Sequence, residues 1–123
     1  MRIMDRTYTA IAIDDDDIFL TILGKVLDSI DFLELKETHS NPVSGALAVV
    51  SQEPDFLFLD VEMPYVDGFE TIEMLKSRPK TIVISAHDSS HESVQRIKPD
   101  AFLSKPIDRA KVEEVLLDLI DKD

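Results

Sequence analysis

Cysteine is absent from the chain, and glycine occurs only three times in 123 residues. Without cysteine there is no disulfide framework, no zinc–thiolate site and no thiol nucleophile, and the cytoplasm is the expected compartment. Long apolar runs are missing too. No stretch approaches the ~18 residues of a membrane span, and aspartates interrupt the N-terminal apolar stretch too early for a signal peptide. No repeat, low-complexity segment or Gly/Ser linker divides the chain, so residues 1–123 are expected to form a single domain. A chain of this size buries roughly two-thirds of its unfolded surface. Positive charge is scarce: 13 Lys and Arg stand against 25 Asp and Glu, for a net charge of −12. That balance argues against direct contact with nucleic acid or an anionic membrane, and it favours metal cations and basic partner surfaces.

What the chain does have is negative charge concentrated in one place. The segment "IAIDDDDIFL", residues 11–20, passes from apolar residues into Asp14, Asp15, Asp16 and Asp17 and back to apolar ones. Taken alone, four aspartates at a strand-to-helix turn are a cap and a solvated loop. A site for a hard cation is the alternative, and the rest of the chain decides between them.

Tyr8 to Ile13 reads as a strand. Ile18, Phe19, Ile22, Leu23, Val26, Leu27 and Ile30 then recur at helical spacing, with Asp16 or Asp17 as the N-cap. Leu33 and Leu35 alternate with Glu34 and Lys36, which predicts an edge strand with one wetter face. Asn41-Pro42 opens a second helix that carries Val43, Ala46, Leu47 and Val50. "FLFLD" is the short continuous apolar run of a central parallel strand. After it come the loop "VEMPYVDG", a helix with Phe69, Ile72 and Leu75, and the strand "TIVIS". A weak helix near Glu92 to Ile97, the strand "AFLS" and a last helix with Val112, Val115, Leu116, Leu119 and Ile120 complete the chain.

Five alternations of strand and helix predict an α/β fold, a doubly wound five-stranded parallel sheet with helices on both faces. Ligands in such sheets bind beyond the C-terminal strand ends. The residues that end the strands are Asp14 and Asp15, then Asp60, Ser85 and Lys105, so polar chemistry converges on one edge.

Four segments, "AIDDDD", "FLFLDVEMPYVDGFE", "VISAHD" and "FLSKPI", stand in order at those ends. Over residues 8–120 the chain thereby resembles the receiver domain of two-component response regulators. The resemblance implies a flavodoxin-like sheet in the order 2-1-3-4-5. It implies that Asp60 accepts a phosphoryl group from a sensor histidine kinase or phosphotransfer protein. Asp14, Asp15 and Asp60, with the backbone carbonyl of Glu62, would hold Mg2+. Ser85 and Lys105 would bind the phosphoryl group, and Ser85 with Phe102 would form the switch. The Lys105–Pro106 peptide would be cis. The implied protein is a switch rather than an enzyme, catalysing only its own phosphorylation and dephosphorylation. A downstream effector, an output domain or a second copy would bind the surface reshaped by Phe102.

The intervals of 25 positions from Asp60 to Ser85 and 20 from Ser85 to Lys105 resemble those of compact receivers that precede LytTR-type DNA-binding domains. The chain is therefore expected to be free-standing or the first domain of a longer protein.

Elementary chemistry supports these roles. Phosphoryl transfer needs positioning and charge neutralisation more than covalent help. Mg2+ takes oxygen ligands, usually one or two carboxylates with phosphate and water, and lysine adds a fixed point charge. Two rival readings come from other classes. "AIAIDDDDI" also fits a haloacid-dehalogenase phosphatase, with Asp14 as nucleophile and Asp16 as acid/base, but that family's late acidic pair is missing from "AFLSKPID". A phosphorylation-independent interaction module typically lacks the acceptor or the lysine, and both are here. His87 and His91 stand four apart without a third ligand and read as a solvated helix start.

Overall fold

The computed structural model describes residues 6–60, 78–86 and 98–122. The apolar runs form β1 (Tyr8–Ile13), β2 (Leu33–His39), β3 (Phe56–Asp60), β4 (Lys80–Ser85) and β5 (Ala101–Ser104). All neighbours pair in parallel, in the order β2-β1-β3-β4-β5. The sequence pattern anticipates the places of β2 and β3. β3, apolar until its last residue, is buried throughout, whereas the alternating β2 lies at the edge with every second residue exposed. Strand order reverses at β1, which makes the C-terminal ends of β1 and β3 the switch point of the sheet.

Three helices are described: α1 (Asp17–Asp28), α2 (Pro42–Gln52) and α3 (Arg109–Asp121). The two-residue period of a strand sends alternate side chains to opposite faces. Ala10, Ala12, Phe56, Phe58, Ile82 and Ile84 meet Leu20, Leu23 and Leu27 of α1 and Val112 and Leu116 of α3. Ile11, Ile13, Leu57, Leu59 and Val83 meet Ala46 and Val49 of α2 on the other face. The expected helices carrying Phe69, Ile72 and Leu75, and near Glu92 to Ile97, lie outside the described residues.

Two helical faces differ from the sequence pattern. Ile18 is 76% exposed, and Ile22 is exposed as well, so the buried stripe of α1 runs through Phe19, Leu20, Leu23 and Leu27. A helix lying on a sheet buries only one stripe, and the spacing of seven apolar residues could not say which members lose out. On α2, Val43, Leu47 and Val50 face solvent, while Gly45, Ala46 and Val49 are buried.

The reason lies at Gly45, where the helix comes very close to β1. A Cβ on Gly45 would stand 2.5 Å from Cδ1 and 2.6 Å from Cγ1 of the fully buried Ile13. Ile13 is stiff at χ1 and is buried in a close-packed core. Gly45→Ala is therefore expected to cost about 2 kcal/mol through overpacking. Thermal melts should show this as a drop of roughly 8 °C at this chain length. An unchanged melting temperature would show that helix and strand separate freely.

Each of the three described helices begins on a side-chain cap. Asp16 Oδ1 accepts from the N–H groups of Ile18 and Phe19 at 3.0 and 3.1 Å, and Asn41 Oδ1 accepts from those of Val43 and Ser44 at 2.8 and 3.0 Å. Asp108 accepts from the N–H of Lys111 at 2.9 Å. At the edge, His39 Nε2 and Glu37 Oε1 are 2.6 Å apart. The hydrogen bonds from His39 and then Gln52 hold the Glu37 carboxyl below its usual range. No helix among the described residues is long and apolar enough to cross a membrane.

Candidate functional site

Register brings the acidic residues together. Ile13 of β1 pairs with Leu59 of β3, so Asp14 and Asp60 leave adjacent strands one step later. The backbone N–H of Asp14 donates to His39 O at 3.1 Å, which continues the ladder past the end of β1. Its side chain turns with the chain, and Oδ1 accepts from the N–H of Asp16 at 2.9 Å. Asp14 and Asp60 are 2% and 5% exposed, whereas Asp15 faces solvent. One carboxylate oxygen from each of Asp14, Asp15 and Asp60 lies within 4.8 Å of the other two.

Lys105 arrives from the far side of the sheet. Its backbone N–H donates to Ser85 O at 2.9 Å, and the Lys105–Pro106 peptide is cis, as the resemblance implied. Lys105 Nζ lies 3.1 Å from Asp14 Oδ2 and 3.9 Å from Asp60 Oδ2. Buried Asp14 Oδ2 makes no hydrogen bond among the described residues. The ammonium is therefore within ion-pairing distance but outside hydrogen-bonding angles. Among the described residues one ammonium pairs with two of the three clustered carboxylates, and a buried carboxylate oxygen met there by ion pairing alone favours a further cation. A cluster of hard oxygens with open positions fits Mg2+ by donor type.

Ser85 ends β4 and is fully buried, one position past Ile84, the register partner of Asp60. Phe102 pairs with Val83 in β5 and packs half-buried against the cluster beneath α2. Glu62, His87 and His91 lie outside the described residues. Of the four consecutive aspartates, Asp14 and Asp15 join the cluster, while Asp16 caps α1 and Asp17 is its first residue. Asp16, the acid/base of the phosphatase reading, is occupied at Oδ1 by the two N–H groups that it caps.

One contact escaped the sequence reading. Lys105 Nζ stands 4.2 Å from the centre of the Phe19 ring. Phe19 read only as a member of an apolar helix face. Its partner is 86 positions away, so nothing local in the sequence marks the pair.

Residues 10–117 match the family described as the response regulator receiver domain. The transcriptional regulatory protein BtsR of Escherichia coli K12 is 34% identical over 108 residues, covering 85% of this chain and 44% of that protein. The chain spans less than half the length of this and other curated relatives that it matches. Among solved structures, the receiver domain of the putative response regulator NarL from Mycobacterium tuberculosis superposes with a TM-score of 0.81. That pair is 19% identical and covers 96% of this chain and 99% of that one. The CheX–CheY–BeF3–Mg2+ complex from Borrelia burgdorferi gives a TM-score of 0.79 at 21% identity, covering 95% of this chain and 92% of that one. With the family matched across most of its length and the parallel sheet in the order 2-1-3-4-5, the chain belongs to the response regulator receiver domains.

Proposed function

We propose that this protein is the phosphorylatable switch of a two-component system, with Asp60 accepting a phosphoryl group from a sensor histidine kinase or phosphotransfer protein. The observation that carries this reading is the placement of Lys105 Nζ 3.1 Å from Asp14 Oδ2 and 3.9 Å from Asp60 Oδ2, at the switch point of the sheet. In the proposed step an Asp60 oxygen forms the new O–P bond as the donor's P–N bond breaks. Lys105 holds positive charge beside the acceptor. The Ser85 hydroxyl donates a hydrogen bond to a phosphoryl oxygen once the group arrives.

Asp14, Asp15 and Asp60, with the carbonyl of Glu62, would hold Mg2+. The ion supplies neutralisation of the charge on the transferring phosphoryl oxygens. The movement of Ser85 leaves space for Phe102, and the surface over residues 88–112 then binds an effector or a second copy. This is population shift by differential contact, since only the phosphorylated state gives Ser85 that acceptor. The beryllofluoride and Mg2+ named in the Borrelia complex, which shares the fold, support the chemistry proposed.

We infer further that residues 1–123 form one receiver domain in the cytoplasm, of the compact kind that precedes a LytTR-type DNA-binding domain. The intervals of 25 and 20 positions and a relative named as a transcriptional regulatory protein support this. Intact-mass analysis with acetyl phosphate should show a single added phosphate that requires Mg2+ and disappears in Asp60→Asn. Equal labelling of that variant would overturn the assignment.

A further inference from the structure

We propose that Phe19 is a positioning residue for Lys105, an inference that rests on the reading of Asp60 as acceptor. A lysine ammonium on a four-carbon stem is mobile, and two carboxylates at unequal distance would draw it fully onto the nearer one. Lys105 Nζ has a third neighbour, the face of Phe19 at 4.2 Å from the ring centre. A ring face attracts a cation through its quadrupole. That attraction persists when a metal ion or a phosphoryl group changes the charge on Asp14 or Asp60. Phe19 therefore keeps the ammonium between the two carboxylates.

The ring itself is held firmly. Phe19 is 8% exposed in the first turn of α1, and its N–H donates to the Asp16 cap at 3.1 Å. Two aspartates of the run thus serve linked purposes: Asp14 receives the ammonium, and Asp16 anchors the residue that aims it.

The test combines phosphorylation rates with a spectroscopic marker of the contact. Lys105 ε-methylene protons over the ring should be shifted upfield by its ring current in the metal-free wild type, and should remain so with Mg2+. Phe19→Leu, which keeps apolar volume, should abolish that shift and slow phosphorylation by acetyl phosphate roughly threefold to tenfold. Phe19→Tyr, which keeps the ring, should retain both. In a Lys105→Met background, Phe19→Leu should slow the reaction no further, because the effect passes through the ammonium. If Phe19→Leu does not fold, Phe19→Met serves as the ringless variant. An unshifted Lys105 signal in the wild type would overturn the proposal whether or not Asp60 is phosphorylated. An undiminished loss in the Lys105→Met background would overturn it too. A wild type that shows the ring-current shift but takes up no phosphate would refute the acceptor role of Asp60, and with it any catalytic effect of the contact.

Discussion

Lys105→Met is expected to slow phosphoryl uptake at Asp60 by roughly 10²- to 10³-fold, the usual cost of removing one group aimed at developing charge. Methionine keeps much of the stem's length and apolar contact, so the change isolates the ammonium. At an effective dielectric of ~20, a unit charge 3.1 Å from Asp14 and 3.9 Å from Asp60 attracts each by about 4–5 kcal/mol before relaxation. Lys105 is partly solvated and its net value is smaller, yet its loss removes the opposing charge that the described residues place beside buried Asp14. The metal-free variant should consequently melt lower, by roughly 4–8 °C if about 1–2 kcal/mol is lost. Its Mg2+ affinity should rise, because no fixed cation then competes for Asp14 Oδ2. Phosphorylation within threefold of wild type, with weaker Mg2+ binding, would contradict the role given to this residue.

Removing a negative charge should have the opposite effect. Asp60→Asn is expected to raise the melting temperature of the metal-free protein while abolishing phosphorylation. Carboxylate oxygens within 4.8 Å repel by roughly 3–4 kcal/mol at an effective dielectric of ~20, before solvent and Lys105 offset most of it. A residual gain of ~1 kcal/mol corresponds to roughly 4 °C for a chain of this length. Saturating Mg2+ should reverse the order. Wild type then gains by mass action, about 2.7 kcal/mol at a hundredfold excess over Kd, while the variant binds the ion weakly. The same change at solvent-facing Asp15 should yield a smaller gain, because exposed charges are screened. Melts of the three proteins with and without Mg2+ check this, and a destabilised metal-free Asp60→Asn would show that the carboxylates do not strain the fold.

Much of this arrangement was legible in the residues. The wet edge at β2 and the convergence of Asp14, Asp60, Ser85 and Lys105 on one edge follow from alternation, apolar runs and strand-end motifs, whereas the strand order came only with the family resemblance. Capping is local, so the sequence narrowed the N-cap of α1 to Asp16 or Asp17, and the hydrogen bonds to the Ile18 and Phe19 N–H groups select Asp16.

What sequence could not supply depends on distances between elements. The burial of Asp14 beside an exposed Asp15 reflects which way the chain turns after β1. Gly45, an ordinary helix position by pattern, is where α2 meets Ile13 too closely for a Cβ. That close approach explains why α2 buries Ala46 and Val49 and leaves Leu47 in water. Phe19 and Lys105 meet only because the first turn of α1 lies beside the end of β5.

The central claim is that the phosphoryl group forms its bond to Asp60 and that the neighbouring aspartates serve the metal. Wild-type protein phosphorylated by acetyl phosphate with Mg2+ can be trapped with borohydride, which reduces an aspartyl phosphate to homoserine, and then mapped by peptide mass. The proposed mechanism predicts homoserine at position 60 alone, and none when Mg2+ is withheld. Homoserine at position 14 would contradict it and would establish Asp14 as the nucleophile.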